Sequence, residues 1–154
     1  MSQAGMNTHC SCGRVNYNIV GKPLLRAFCH CSICQAVNKA PYADITLFRY
    51  RDVVTPGDVN LEFKSHKFPP ILKRGKCVAC DNIAIEYLQL VAIPRMVIVP
   101  SDNVDDKSLI PAPALHIFYE SRVADIEDSL PKYKGYLSSQ LAFGRKLIDS
   151  LLHN

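Results

Sequence analysis

The sequence predicts a mainly β fold, with distorted antiparallel sheets, cysteine-bearing turns and one C-terminal amphipathic helix. Three observations carry that expectation. Ten prolines and seven glycines are spread along 154 residues, which excludes a coiled coil and disfavours a helix bundle. Short apolar runs of period two stand between those breakers. Seven cysteines fall into three tight clusters along the chain.

The elements follow in order. Val15, Tyr17 and Ile19 alternate with Arg14, Asn16 and Asn18, the pattern of a half-buried strand, and Gly21-Lys22-Pro23 closes it. Ala43, Ile45 and Leu47 alternate likewise after Pro41, and that run ends in Arg49-Tyr50-Arg51-Asp52. Thr55-Pro56-Gly57-Asp58 reads as a turn, with proline at φ of about −65° and glycine where φ is positive. Residues 83–90 and 96–99 read as buried strands split by Pro94, and 115–119 as another strand. Many short strands at this spacing argue for antiparallel sheets rather than βαβ units.

One segment departs from the strand pattern. Between Tyr136 and Leu152 the apolar residues Leu137, Leu141, Leu147, Ile148, Leu151 and Leu152 fall close to helical spacing, with no proline. Gly135 precedes them, and Ser138 or Ser139 is the expected cap. This helix is expected to pack on the sheet or on a neighbouring subunit, a homodimer in the second case. The length suits one domain, with residues 1–135 as its β part and residues 136–154 as a helix appended to it.

Composition narrows the class further. With 48% apolar and 21% charged residues, the chain is an ordinary globular mixture and not a disordered one. No uncharged apolar stretch approaches the ~18 residues of a membrane span, since Pro94, Arg95 and Pro100 interrupt the greasiest region. Met1 to Cys10 has neither a basic cluster nor an apolar core, so a cytoplasmic protein without a membrane partner is expected. An odd number of cysteines cannot all pair within one chain, and closely spaced reduced thiols are more often metal ligands or redox groups than staples.

The clusters are Cys10-Ser11-Cys12, Cys29-His30-Cys31-Ser32-Ile33-Cys34 and Cys77-Val78-Ala79-Cys80. Close pairs of thiolates suit a tetrahedral ion such as Zn²⁺, so these are read as zinc-knuckle turns. Two, three and two ligands suggest two zinc ions per chain: one in a closed four-thiolate site, one in a three-thiolate site. A three-ligand zinc keeps a position for water or substrate, the mark of a catalytic ion. Counting leaves open which clusters combine; the first and third are the natural partners, because the middle one supplies three ligands alone. A redox C-x-x-C at Cys31/Cys34 or Cys77/Cys80 wants a strand–helix context in a βαβ fold, which the pattern does not offer. His30, flanked by two cysteines, would compete with them sterically, and His9, His66 and His116 read as ordinary polar or partly buried residues.

The formal charge of +4 shrinks once metal is counted. Seven thiolates and two divalent ions change it by −3, to about +1. Lysines and arginines are scattered, with no aromatic–basic stripe, so no nucleic-acid partner is expected.

On Cys10-Ser11-Cys12-Gly13, Val15, Tyr17, Cys29-His30-Cys31-Ser32-Ile33-Cys34 and Arg74-Gly75-Lys76-Cys77-Val78-Ala79-Cys80, the sequence resembles the glutathione-dependent formaldehyde-activating enzyme family. Leu115-His116-Ile117 and Leu130-Pro131-Lys132-Tyr133 extend the resemblance, which covers most of residues 8 to 133. It implies a distorted antiparallel β fold shared with a zinc-binding accessory protein of Rab GTPases. It implies a structural zinc on Cys10, Cys12, Cys77 and Cys80. It also implies a labile zinc on Cys29, Cys31 and Cys34, beside the place where glutathione and formaldehyde would combine into S-hydroxymethylglutathione. Two departures stand out: Asp81-Asn82 where a glycine usually follows the third cluster, and Lys76 in place of an aromatic.

Two functional readings follow. The first is a zinc-dependent carbon–sulfur lyase acting on a glutathione or related thiol–aldehyde adduct, with Cys29, Cys31 and Cys34 holding the catalytic zinc. The second is a non-catalytic zinc protein that binds a protein partner. Under the first, a small-molecule thiol is the substrate and a basic lining is expected around the three-cysteine cluster, to offset a further thiolate and the carboxylates of glutathione. A pocket there lined by Arg or Lys able to bind the glutathione carboxylates favours the first reading, and an exposed apolar face the second.

Overall fold

The computed structural model describes residues 5–154. The first four residues of the segment read for a secretory signal therefore lie outside it. The chain forms β1 (Met6–His9), β2 (Asn16–Ile19), β3 (Leu25–Cys29), α1 (Ser32–Asn38), β4 (Ala43–Arg49) and β5 (Val53–Val54). It continues with β6 (Leu61–Lys64), β7 (Leu72–Cys77), β8 (Ile83–Leu88), β9 (Met96–Pro100), β10 (His116–Ile117) and α2 (Tyr136–His153). The fold is mainly β with a C-terminal helix, as the sequence predicts.

A three-stranded sheet, β1-β2-β5, lies against one face of a seven-stranded sheet ordered β10-β3-β4-β9-β8-β7-β6. Met6, Tyr17, Ile19 and Val53 of the small sheet share a core with Phe48, Ile85, Val97 and Val99 of the large one. The opposite face of the large sheet presents Leu47, Met96, Ile98 and Ile117 to Leu147 of α2. Phe48 and Leu47, or Val97 and Ile98, are neighbours that point to opposite cores. A strand covered on both faces reads as a continuous apolar run, which is why 96–99 carries no polar alternation.

Among the described strands, pairing is antiparallel except between β10 and β3, and an isolated bridge from His116 to Lys132 is parallel too. His116 and Ile117 run parallel to Phe28 and Cys29, so the large sheet is mixed at that edge. The expected strand over 115–119 shrinks to these two residues, because Phe118 takes a left-handed backbone, φ 53°, and Tyr119–Ser121 turn as a 3-10 helix. Gly57 has φ −65°, so Thr55–Asp58 does not use the positive φ expected of its glycine; Gly57 instead leads into a 3-10 turn at Asp58–Asn60. The short α1 and strands β1, β3, β5, β6 and β7 have no counterpart in the periodicity, being short or broken by charged residues.

Helix α2 forms where expected but presents a different face. Leu147 is 3% exposed, while Leu137 is 70% exposed and Leu141, Ile148 and Leu152 are also exposed. Two apolar stripes share the helix, and periodicity alone does not say which one meets the sheet. Neither expected serine caps it. Gly135, φ 85°, is the N-cap without a side-chain bond, and its N–H donates to Glu120 Oε2 at 2.6 Å. Buried Ser139 instead accepts from Phe118 N at 2.8 Å and donates to Tyr133 O at 3.3 Å, fastening the helix to the segment after β10.

Leu147→Ala should therefore lower unfolding free energy by about 2–3 kcal/mol, and Leu137→Ala by less than about 0.5 kcal/mol. Urea denaturation of both variants checks this; equal losses would mean that the other stripe is the packed one.

Candidate metal centres and the cavity beside them

The structure brings the first and third cysteine clusters together. Cys10 follows β1, and Gly13, φ 77°, returns its N–H to Cys10 O at 2.9 Å, turning the chain so that Cys10 and Cys12 face one way. Cys77 ends β7, and Asp81 N donates to Cys77 O at 2.9 Å across the turn into β8. Asp81 holds the left-handed backbone, φ 59°, that a glycine would take more easily. Its carboxylate lies 2.9 Å from Lys39 Nζ and 3.8 Å from Lys76 Nζ, so Lys76 has an ionic role where an aromatic is common.

The four sulfurs lie within 4.8 Å of one another, with Cys10–Cys12 at 3.5 Å and Cys12–Cys77 at 3.7 Å. Four thiolates about 2.3 Å from a zinc ion would stand about 3.8 Å apart, so the donor set fits that ion in type and spacing. Burial alone would raise the Cys10 thiol, but the N–H of Val15 and the thiols of Cys12 and Cys77 outweigh it and bring it down to about 6. Cys12 moves the other way, up to about 11 despite the N–H of Arg14, because desolvation and its sulfur neighbours oppose a second charge beside the first; a cation is what would let all four ionise together.

The middle cluster stands apart. Cys29 ends β3, Cys31 is the N-cap of α1, and Cys34 lies in its first turn, where its N–H donates to Cys31 Sγ at 3.3 Å. The three sulfurs also lie within 4.8 Å of one another, Cys29 and Cys34 at 3.4 Å. Among the described residues this cluster offers three donors. Cys31 is held strongly ionised by the thiols of Cys29 and Cys34, then by the Cys34 N–H and Arg74. A strand–helix junction thus does surround Cys31 and Cys34, contrary to the sequence reading. Yet β3 and β4 on either side of α1 are antiparallel, so the βαβ context is absent.

His30 is turned into the protein and does not compete with its neighbours. Its Nε2 lies 2.8 Å from His116 Nδ1, and His116 Nε2 lies 2.8 Å from Asp128 Oδ2. Lys132 and then His116 hold Asp128 down to about 2, so it accepts the Nε2–H of His116. His116 Nδ1 is then left to accept from His30. Burial, helped by His116 and Arg122, lowers His30 to about 4 and keeps it neutral. Periodicity did not single out this chain of contacts, because its members are 86 and 12 residues apart. The signal was present in C-H-C and in Leu115-His116-Ile117, two histidines inside otherwise apolar or thiol-rich runs.

The three thiols line one end of a cavity of about 460 Å³. Arg74 and Glu86, cross-strand partners on β7 and β8, line it too. Arg74 Nε lies 3.1 Å from Glu86 Oε1 but off the line of a hydrogen bond, leaving that N–H without an acceptor; Arg74 Nη1 lies 3.3 Å from His66 Nδ1. Complete burial raises the Glu86 carboxyl to about 7 against the pull of Arg74. The expected basic lining is thin: Arg26 is bound to Asp44 at 2.7 and 2.9 Å, and Lys73 lines a different hollow. Arg74, Lys67 and His66 supply what there is.

The fold and site define a two-sheet β protein with one four-thiol cluster and one three-thiol cluster lining a cavity, two donor sets of a kind that could hold metal ions. The model of the glutathione-dependent formaldehyde-activating enzyme family matches residues 5–121, about three quarters of the chain, and the chain belongs to that family. No curated protein matches it. Among solved structures, the fold is similar to a crystal structure of a Rhodobacter sphaeroides protein at 22% identity and a TM-score of 0.52. That likeness covers 70% of this chain and 98% of the other.

Glu86 generates a pH test. Its carboxyl keeps a proton in the folded state between about pH 4.5 and about 7, where the unfolded chain has lost it. The folded state is therefore favoured at the acid end and loses that advantage as pH rises through about 7. Across this window the stability of the wild type relative to Glu86→Gln should fall by on the order of 3 kcal/mol. Urea unfolding of both metal-loaded proteins reads it, and parallel pH curves would contradict it.

Proposed function

We propose that the chain is a zinc-dependent carbon–sulfur lyase acting on a thiol–aldehyde adduct of the S-hydroxymethylglutathione kind. Cys10, Cys12, Cys77 and Cys80 are proposed to hold a structural zinc, and Cys29, Cys31 and Cys34 a labile, catalytic one. The observation that carries the reading is the contrast between the clusters: four donors close one set, while three donors line a cavity of ligand size. On this reading residues 1–135 are the zinc-binding β domain and the helix over 136–154 is part of it. Seven unpaired cysteines suit a reducing, cytoplasmic setting.

Adduct cleavage is redox-neutral. The carbon–sulfur bond breaks with its electron pair on sulfur, and the hydroxyl oxygen becomes the aldehyde carbonyl as its proton leaves. A zinc ion held by three thiolates supplies Lewis acidity and stabilises a departing or attacking thiolate. Arg74 holds a positive charge beside the sulfurs, where it helps to keep Cys31 ionised, and Glu86 is the neighbouring group able to take or return the proton near neutral pH. Zinc-loaded protein should accelerate exchange between free formaldehyde and its adduct with glutathione or a simple alkyl thiol, read by NMR line broadening. Absence of acceleration with either thiol would defeat the lyase reading.

A second reading, a non-catalytic zinc protein that docks a protein partner, draws on the apolar rim of the same cavity, where Phe68 is 95% exposed. The enclosed volume favours a small molecule over a flat protein surface.

The two clusters should also separate under metal removal and mutation. Two zinc ions per chain are expected, the three-thiolate one leaving first under gentle chelation. Cys10→Ser or Cys77→Ser should abolish cooperative folding, since a structural zinc contributes on the order of 10 kcal/mol in small domains. Cys34→Ser should leave a folded chain with one zinc. Metal analysis and thermal melts check both; simultaneous loss of both ions, or equal damage from Cys34→Ser and Cys77→Ser, would contradict the division.

A further inference from the structure

The cavity beside Cys29, Cys31 and Cys34 has a minor polar share, from the thiols with Asn38, His66, Lys67, Arg74, Glu86 and Gln140. Most of the remaining wall is aliphatic or aromatic, from Ile45, Leu88 and Ile98 on the sheet to Phe143 and Leu147 on α2. This is a poor match for glutathione, which carries two carboxylates and an ammonium besides its thiol. Each carboxylate taken from water needs a cation or several N–H donors to offset its desolvation.

The lining supplies few. Arg74, 7% exposed, already faces the carboxylate of Glu86 at 3.1 Å. His66, lowered by burial and then by Arg74, is neutral at pH 7. Exposed Lys67 is the one lining cation, among the described residues, without a counter-ion in contact. The rim is apolar as well: Phe68, Ile71, Leu90, Tyr136 and Ile148 line the cavity and are exposed to solvent. Finally, the wall made by α2 comes from residues beyond 121, outside the stretch that matches the family.

We infer that the ligand of this cavity is a thiol, or its adduct with an aldehyde, that carries an apolar alkyl or aryl body in place of the two carboxylates of glutathione. The sulfur end lies at Cys29, Cys31 and Cys34, and the apolar body lies between the large sheet and α2. The sulfur end rests on the lyase reading above; the apolar body rests on the walls and rim. Burying each methylene group there multiplies affinity about fourfold.

The test is calorimetric titration of zinc-loaded full-length protein with 1-hexanethiol, glutathione and 1-hexanol. Hexanethiol should bind at least tenfold more tightly than glutathione, and hexanol more weakly than hexanethiol. Ile148→Ser, at a half-exposed wall position, should weaken hexanethiol severalfold with glutathione and the melting temperature unchanged. Glutathione binding as tightly as hexanethiol would overturn the apolar ligand and leave the lyase reading standing. So would an Ile148→Ser variant that binds hexanethiol as well as the wild type. Hexanol equalling hexanethiol, or no binding of either thiol, would overturn the inference and remove the lyase reading with it.

Discussion

Four sulfur atoms can converge only if two sheets are held in register against each other. Cys10 and Cys12 hang from the end of β1 in the small sheet, while Cys77 and Cys80 form the turn between β7 and β8 in the large one. The Cys12–Cys77 separation of 3.7 Å, which crosses from one sheet to the other, leaves little room for them to slide. The apolar core between them supplies the same constraint from the other side, and Tyr17 Oη donating to Ala84 O at 2.7 Å ties β2 to β8 beside the cluster. Thiol convergence and core packing therefore specify one arrangement twice over. That agreement matters in a small chain, where many short strands bring few local contacts and each sheet alone would be marginal.

The middle cluster answers to a different constraint, because it is local. Cys29, Cys31 and Cys34 lie on a strand end and the first turn of a helix, so little tertiary structure is needed to gather them. What the tertiary structure adds is the fixing of that junction. His30 N donates to Ile117 O at 3.0 Å, Gln35 Nε2 donates to His30 O at 2.7 Å, and the His30 ring is held by His116 and Asp128. Three separate bonds on the residue between two ligands limit how far those ligands can follow an exchanging fourth partner. An open set of donors needs such outside support more than a closed one does.

This difference also explains what could be read from the chain. Clusters with C-x-C or C-x-x-C spacing are local signals; counting donors left open which clusters combine, and the pairing of the first with the third came from the family resemblance. Strands β8 and β9 were legible from their length and continuous apolarity. The parallel pairing of β10 with β3 was not, because two residues carry no period. Nor was the Arg74–Glu86 pair, whose members fall on one face only because β7 and β8 align them across the ladder. The face of α2 escaped for a related reason: both of its stripes are apolar, and burial is decided by Ser139 anchoring the helix to Phe118 and Tyr133.

The cavity is a consequence of that anchoring. A sheet whose second face is apolar must be covered, and α2 covers it with the stripe holding Phe143, Leu147 and Leu151. The helix meets this sheet face near Leu25, Leu115 and Ile117, close to β3 and β10, while β7 and β8 extend beyond it towards Arg74 and Glu86. The space left between is bounded by whatever the two surfaces bury elsewhere, namely aliphatic side chains. Polar groups are a minority there: sulfurs at the knuckle, the Arg74–Glu86 pair whose carboxyl burial raises to about 7, and Asn38, His66, Lys67 and Gln140. A site with few polar groups and hydrocarbon over the rest follows from closing an apolar sheet face with a helix. The same architecture leaves the reacting atoms in a poorly solvated corner, where a single unpaired N–H or a shifted carboxyl has more effect than it would in water.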